Sequence, residues 1–384
     1  MRAAVTVAVA VTVTVPEGWE PGAFKARVDQ VLHRFAAEEA GQLTAIDSSL
    51  GPVADAVETA VADGKRLRAA FCYWGWRAAG QPDSDALVRA AASMELVHAA
   101  AVVHDDLIDD SPLRHGRPTA HLALREAVRD HPQPASAARS LAMLAGDLLM
   151  SMAGQLFVTS GLPAAYLGRA RPLWAALARE LIAGECLEIL HTGSAAPDTA
   201  ISLKVVRYKT AKYTVEQPLL IGALLGGAGE RLRAGCSAYG LPLGEAFQLR
   251  DDLLGLFGDP ALTGKDGSDD VRGHRPTALL AETWRLAGEE DRERLRTLLA
   301  AGAGTDKDTG TDTADTADTG TGTGTGTADA VRDVMRRLKA PDRIEAMITA
   351  RVEEALHALD ELDLPGPAAA ALNRLAHSAA VRRS

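Results

Sequence analysis

The feature that most constrains this chain is a pair of aspartate-rich segments set in apolar, helical stretches of sequence. The first, MELVHAAAVVHDDLIDD, is apolar on nearly every side and therefore predicts a buried helix. Its polar residues recur along roughly one side: Glu95, His98, Asp105, Asp106 and Asp109. Buried carboxylates without a partner are too costly to be tolerated. A cationic group must therefore face them.

The second segment, FQLRDDLLGLFGD, again places adjacent aspartates, Asp251 and Asp252, in an apolar helix, with Gln248 one turn earlier. In the first segment, Asp105 and Asp109 project together because they are one helical turn apart. Hard oxygen ligands on one face suit Mg2+, which takes a few carboxylates together with substrate phosphates. A solvated acidic helix end is the alternative for either cluster alone. Two clusters facing each other across a bundle predict a site for one diphosphate held by several Mg2+ ions.

Basic residues accompany the acidic segments. The segment GKRLR places Lys65 and Arg68 at the predicted start of a helix, where amide groups and the positive end of the helix dipole favour anions. Four more lie after, between or beyond the acidic segments: Arg114, Lys209, Lys265 and Arg275. Each one alone reads best as an ordinary exposed cation, but their joint placement indicates diphosphate binding.

Composition favours an all-α protein. Of the 384 residues, 47% are hydrophobic and only 4% are aromatic, and alanine and leucine favour helices over sheets. Apolar residues recur at helical spacing from Phe24 onward. We predict a flexible tail at residues 1–20 and one helical domain at residues 21–384. The Gly, Thr and Asp tract at residues 304–329 has nothing to pack and predicts a disordered loop within that domain.

Charge and cysteine content exclude several classes of function. A formal net charge of −10 argues against a general nucleic-acid-binding protein. Cys72, Cys186 and Cys236 have no paired spacing, so we expect neither a disulfide framework nor a zinc site. The opening residues alternate with threonine, unlike a signal peptide, and no later apolar run looks long enough to span a bilayer. We therefore expect a soluble cytoplasmic protein without stable membrane insertion.

Four segments in order resemble the successive motifs of trans-prenyl diphosphate synthases of the polyprenyl synthetase family: GKRLR, HDDLIDDSPLRHGRPTAH, YKTAKYT and FQLRDDLLGLFGDPALTGKDGSDD. The resemblance implies an isoprenoid synthase-type bundle of long helices around a central cavity. It also implies Mg2+-dependent, head-to-tail condensation of isopentenyl diphosphate with an allylic diphosphate. Relatives of this type are usually homodimers.

The resemblance also implies a role for individual residues, carried over motif by motif. The metal ligands would be Asp105, Asp106, Asp109, Asp251 and Asp252. The diphosphate of isopentenyl diphosphate would bind Lys65, Arg68 and His98. The allylic diphosphate would bind Arg114, Lys209, Thr210, Gln248 and Lys265, with Arg275 at the position of a further family lysine. The aspartates and Lys209 would promote the departure of pyrophosphate.

Two departures from the family pattern bear on activity. His115 stands where the family usually has a second arginine, and it lacks the fixed fork of a guanidinium, so we expect weaker binding of isopentenyl diphosphate. Gly255 replaces the third aspartate that many members carry in the second cluster.

In the family, aromatic residues just before the first cluster limit product length. The small residues here, Ala100 and Ala101, predict a deeper pocket and a geranylgeranyl product, unless a residue of the next helix such as Met150 or Phe157 raises or lowers the floor of that pocket.

Two other functions are compatible with parts of this pattern. A class I terpene cyclase would ionise a prenyl diphosphate without using isopentenyl diphosphate, but it would have no need of Lys65, Arg68 and His98. A catalytically silent partner subunit would have lost aspartates or basic residues, and most of both are present.

Overall fold

The computed structural model describes residues 20–114, 116–258, 273–303 and 321–380. These residues are almost entirely helical, which confirms the all-α prediction. The helices are α1 (Pro21–Ile46), α2 (Gly51–Val61), α3 (Leu67–Ala78), α4 (Asp85–Ile108), α5 (Ala120–Ala127), α6 (Pro134–Val158), α7 (Ala164–His191), α8 (Thr199–Val205), a π-helix (Val206–Glu216), α9 (Gln217–Leu225), α10 (Glu230–Phe257), α11 (Ala278–Leu286), α12 (Glu289–Ala303), α13 (Thr321–Arg337), α14 (Ala340–Asp360) and α15 (Gly366–Ala380). A short 3-10 turn (Ser48–Leu50) links α1 to α2.

The described strands form one small hairpin after α4. Strand β1 (Leu113–Arg114) pairs antiparallel with β2 (Arg117–Pro118), so that Arg114 lies opposite Arg117. The hairpin places Arg114 next to the C-terminal end of α4.

Local signals explain where several helices begin. The Ser84 hydroxyl accepts a hydrogen bond from the Leu87 amide at the start of α4, and Thr277 caps α11 in the same way through Leu280. Such N-caps satisfy amide groups that have no partner inside the helix.

The main hydrophobic core joins α1, α3, α4, α6, α7, α9 and α10, with Trp74, Tyr239 and Phe71 among its largest fully buried side chains. Glycines bring two of these helices into backbone contact. A Cβ atom on Gly75 would lie 2.0 Å from the Leu219 carbonyl oxygen, and one on Gly222 would lie 1.8 Å from that of Cys72. Helices α3 and α9 therefore approach more closely than any larger residue would allow.

A second core lies where the C-terminal half of α10 meets α11, α13 and α14. It includes Leu249, Trp284, Val331, Ile344 and Ile348. Ile344 and Ile348, one helical turn apart in α14, both contribute to this core.

The predicted loop and tail fall largely outside the described residues. Residues 1–19 and 304–320 are not described. The structure differs from the prediction at residues 321–329, which form the first turns of α13. Ala328 and Val331 are buried, so their packing anchors this helix, a tertiary effect that composition did not reveal.

The π-helix positions the lysine and threonine of the YKTAKYT segment. It contains Lys209 and Thr210, and glycines flank it on both sides. A Cβ atom on Gly184 of α7 would lie 2.2 Å from the Lys209 amide nitrogen, and one on Gly244 of α10 would lie 2.5 Å from the Ala211 carbonyl oxygen. Segments of π-helix are rare and occur frequently at functional sites.

Helices α4 and α6 are long and apolar enough to cross a membrane, judged by length and composition alone. The prediction that no later apolar segment is long enough to span a bilayer is therefore amended. Most of α4 is buried in the core and α6 packs along it. The apolar character of α4 is therefore accounted for by the interior of the fold.

Candidate active site

The first aspartate cluster lies at the C-terminal end of α4. Asp105 and Asp106 occupy its last turn, and the Asp109 amide closes the helix by donating to the Asp105 carbonyl oxygen over 2.9 Å. The C-terminal end of a helix carries partial negative charge, so carboxylates there need cations nearby. Asp106 is buried and the other two are half-buried.

Two of the predicted arginines meet this cluster. Arg114 of β1 donates from Nε to Asp106 Oδ1 over 3.0 Å, and its Nη2 lies 3.5 Å from Asp105 Oδ2. Arg275, just before α11, pairs with Asp109. The prediction that cationic groups face these carboxylates is therefore correct.

Lys209 makes the largest set of ionic contacts in the cluster. Its Nζ lies 2.9 Å from Asp105 Oδ1, 3.0 Å from Glu185 Oε2 and 2.9 Å from Glu188 Oε1. Burial alone would lower the pKa of Lys209, but the surrounding carboxylates outweigh burial and raise it. Lys209 is thus held as a cation.

Sequence analysis missed Glu185 and Glu188. They lie three residues apart on one face of α7 and bring two further carboxylates to the lysine. In the sequence they look like ordinary acidic residues of an amphipathic helix. Only the packing of α7 against the π-helix reveals them.

The carboxylates of the cluster do not share one pKa. Burial opposes ionisation of Asp105, but Lys209 outweighs burial and lowers the pKa. Burial raises the pKa of Asp109 to about 7 although Arg275 opposes the shift, and the neighbouring Asp105 adds to it. Such opposite shifts are typical of two carboxylates that share a site, because they cannot both ionise freely.

The donor set fits a hard divalent cation. Within the described residues, no three histidine, cysteine, aspartate or glutamate side chains form a ready-made metal cage. Mg2+ needs no such cage, since it binds a few carboxylates and completes its shell with water and substrate phosphates. Arg114, Lys209 and Arg275 now pair with the carboxylates. A diphosphate could bind these cations while Mg2+ binds the aspartates they release.

The second aspartate cluster lies near the end of α10. Gln248 donates to Asp252 Oδ1 over 2.8 Å, and Asp252 is buried whereas Asp251 is half-buried. Asp252 borders a small cavity together with Leu256 and Leu279. The arrangement of the two clusters face to face stays a prediction.

A second group of predicted residues surrounds Arg68 on α3. Arg68 is 7% exposed, and its Nη2 donates to Tyr213 Oη over 2.8 Å and to Thr214 Oγ1 over 2.9 Å. Tyr213 Oη lies 3.3 Å from His98 Nδ1, and the guanidinium stacks 4.4 Å from the tyrosine ring centroid. The structure thus links Arg68 to His98 through Tyr213, and Thr214 holds Arg68 from the same segment. Sequence analysis assigned no role to Tyr213 or Thr214.

The Arg68 Nε atom is buried and has no hydrogen-bond partner within the described residues. An orphaned charged donor of this kind is costly unless a ligand satisfies it. Lys65 lies exposed in the loop before α3.

Glu95 has a different role from the one expected. It is buried, and its Oε1 accepts a hydrogen bond of 2.8 Å from the Ala69 amide in the first turn of α3. A backbone amide rather than a cation therefore satisfies this carboxylate, because α3 crosses α4 at that point.

The remaining predicted residues vary in how they are placed. Thr210 is half-buried beside Lys209, while His115 and Lys265 lie outside the described residues. Ala100 is fully buried on α4 and Ala101 is half-buried. On the neighbouring α6, Phe157 stacks on Trp174 with ring centroids 4.3 Å apart.

The chain is similar to known proteins of one family. The model of the polyprenyl synthetase family matches residues 52–313, which is more than half of the chain. The chain belongs to the polyprenyl synthetase family. The match covers the first aspartate cluster, the π-helix and the second cluster.

Individual family members differ in the product that their names state. A (2E,6E)-farnesyl diphosphate synthase of Mycobacterium tuberculosis is 35% identical over 226 residues, 58% of this chain and 57% of that relative, so the chain spans little more than half of its length. A heptaprenyl diphosphate synthase component 2 of Geobacillus stearothermophilus is 30% identical over 332 residues, 86% of this chain and 90% of that relative.

A solved structure shares nearly the whole fold. It is a geranylgeranyl pyrophosphate synthase from Corynebacterium glutamicum complexed with isoprenyl diphosphate and magnesium. The TM-score is 0.84 at 31% identity, and the likeness covers 95% of this chain and 100% of that chain. The isoprenoid synthase-type fold is therefore confirmed.

Proposed function

We propose that this family member is a Mg2+-dependent prenyl diphosphate synthase that joins isopentenyl diphosphate to an allylic diphosphate. One observation carries the proposal: a single π-helix connects two separate sets of anion-binding residues. Lys209 contacts the first aspartate cluster, whereas Tyr213 and Thr214 contact Arg68. Two diphosphate-binding regions on one rigid element suit a reaction between two diphosphate substrates.

The proposed roles follow from charge and burial. Asp105, Asp106 and Asp109, with Asp251 and Asp252 of the second cluster, would hold several Mg2+ ions, which supply charge neutralisation for the departing pyrophosphate. Arg114, Lys209 and Arg275 would bind the allylic diphosphate directly. Further residues assigned to this diphosphate are Thr210, Gln248 and Lys265.

The isopentenyl substrate would bind at the other end of the π-helix. Lys65, Arg68 and His98 would hold its diphosphate, and the orphaned Arg68 Nε would gain a partner. The family resemblance assigns His115 to the same substrate. The apolar face of α4 excludes water from the carbocation until the alkene attacks. The new chain would then lose a proton to the released pyrophosphate.

We further propose geranylgeranyl diphosphate as the product. Its support is the pair of small residues, Ala100 and Ala101, in the turns of α4 before the aspartates, where a bulky side chain would limit the growing tail. The test is incubation of the protein with labelled isopentenyl diphosphate and each allylic starter, followed by chromatography of the dephosphorylated products. A product that stops at farnesyl length would contradict the proposal, and Ala101→Phe is expected to shorten the product.

We also propose that the protein is a cytoplasmic homodimer that buries the outer face of α6. This helix is apolar enough to cross a membrane, yet it leaves Met143, Leu144 and Val158 exposed by 47%, 54% and 62%. Exposed apolar patches of this kind mark interaction surfaces, and a second copy offers the same patch.

Light scattering after size exclusion tests the dimer. The wild-type protein is expected to elute at twice the chain mass, and Leu144→Glu at the chain mass. Ile46→Glu is the matched control, since Ile46 is 76% exposed at the end of α1. Monomeric wild-type protein, or a dimer that tolerates Leu144→Glu, would contradict this assembly.

A further inference from the structure

Arg66 lies between the proposed diphosphate-binding residues Lys65 and Arg68, yet its side chain is buried. It is 4% exposed, and its backbone is left-handed with a φ of 55°. A left-handed conformation is uncommon outside glycine, asparagine and aspartate, and it persists only where surrounding structure holds it. Strain of this kind clusters at functional sites.

The contacts of the Arg66 side chain show what holds it. Its Nε donates to Asp29 Oδ1 of α1 over 2.7 Å, and its Nη2 donates to the Val61 carbonyl oxygen over 2.6 Å. Val61 is the last residue of α2, where carbonyl groups lack partners within the helix. A Cβ atom on Gly64 would lie 3.0 Å from Arg66 Nη1. The guanidinium therefore joins α1, the end of α2 and the loop before α3.

The backbone of Arg66 sets where α3 begins. Its carbonyl oxygen accepts the Ala70 amide over 3.0 Å, and Glu95 caps the adjacent Ala69 amide. Lys65 directly precedes this fixed point and Arg68 follows it by two residues. Their separation and direction consequently depend on the left-handed turn between them.

We propose that the ion pair between the buried Arg66 and the half-buried Asp29 is a positioning element that holds Lys65 and Arg68 in one arrangement for isopentenyl diphosphate. The inference rests on the function proposed above. Both residues act through the loop rather than by contact with substrate. Among the described residues, neither Arg66 nor Asp29 contacts the first aspartate cluster. We therefore expect their loss to affect the isopentenyl site alone.

The test compares Asp29→Asn with a matched control, Asp83→Asn. Asp29→Asn keeps the shape of the side chain but removes its charge. Asp83→Asn removes an exposed ion pair of 3.0 Å that Arg27 makes from the same helix. Calorimetry gives the Kd for isopentenyl diphosphate, and steady-state kinetics give kcat and both KM values.

We expect Asp29→Asn to raise the Kd and KM for isopentenyl diphosphate about tenfold, with the KM for farnesyl diphosphate and kcat within about twofold. Arg66→Lys should behave in the same way, since lysine keeps the charge but lacks the planar guanidinium that donates to Asp29 and Val61 at once. Asp83→Asn should match wild type. A lower Tm with an unchanged isopentenyl KM, or an equal rise in both KM values, would overturn the inference. Wild-type protein that fails to bind isopentenyl diphosphate would instead overturn the proposed function.

Discussion

At the scale of single residues, the Tyr213 hydroxyl group links the two residues that the proposed isopentenyl site needs most. It accepts a hydrogen bond from Arg68 and lies beside His98. A hydrogen bond to a charged group contributes about 1.5–3 kcal/mol, which corresponds to roughly tenfold or more in affinity.

Tyr213→Phe is therefore expected to raise the KM for isopentenyl diphosphate by about tenfold or more and to leave the allylic KM nearly unchanged. The matched control is Tyr208→Phe, since Tyr208 lies on the same π-helix with its ring near Lys212. Steady-state kinetics with each substrate varied in turn measure the KM values for isopentenyl diphosphate and for the allylic diphosphate. An unchanged KM for isopentenyl diphosphate in Tyr213→Phe would show that the Tyr213 hydroxyl group does not contribute to binding of this substrate.

Asp109 predicts a pH dependence of metal binding. Its pKa is raised to about 7 from an ordinary 3.8, so the side chain is mostly protonated at about pH 6 and mostly ionised at about pH 8. Only the ionised form binds Mg2+. The Mg2+ concentration for half-maximal rate should fall as pH rises through about 7.

The measurement is a Mg2+ titration of the rate at both pH values, with Asp109→Asn as comparison. The variant should need more Mg2+ and should lose the change between the two pH values. An equal Mg2+ requirement of wild-type protein at both pH values would contradict the raised pKa.

Residue identities in the first cluster were predictable because three aspartates in a buried helix demand compensation. Arg114, Lys209 and Arg275 were selected by their joint placement near the acidic segments and by the resemblance to the family motifs. Glu185 and Glu188 were not, since nothing in the sequence distinguishes them from ordinary acidic helix residues. Tyr213 and Thr214 belong to the YKTAKYT motif, but the sequence does not show that they contact Arg68. Glu95 was given the wrong kind of partner, because the crossing of α3 and α4 is a tertiary feature.

At the scale of elements, the π-helix is the feature that organises the site. Apolar periodicity does not reveal its wider winding. The glycines of α7 and α10 allow those helices to pack closely against it. The start of α13 was missed because tertiary packing rather than composition determines it.

Gly184→Ala tests whether close packing sets the position of Lys209. The added Cβ would lie 2.2 Å from the Lys209 amide nitrogen, so the backbone must shift. We expect kcat to fall about 100-fold while circular dichroism stays helical.

The matched control is Gly168→Ala on the same helix, where a Cβ meets nothing within 4 Å. Because glycine costs about 0.5–1 kcal/mol relative to alanine in a helix, this control should be slightly more stable and equally active. Equal activity of Gly184→Ala and Gly168→Ala would show that the contact does not position the lysine.

At the scale of the whole molecule, two hydrophobic cores share α10. The main core carries α4 and the π-helix, and the second core holds the end of α10 where Asp251 and Asp252 lie. The all-α class was predictable from composition and periodicity. The partition into two cores was not, because it depends on which helices meet.

The central claim is that this chain joins two diphosphate substrates rather than ionising one alone. Pyrophosphate release from farnesyl diphosphate in Mg2+, measured with and without isopentenyl diphosphate, tests it most directly. We predict that release requires isopentenyl diphosphate and Mg2+ together and yields a longer prenyl diphosphate. Release without isopentenyl diphosphate, accompanied by a hydrocarbon product, would contradict the claim and indicate a terpene cyclase.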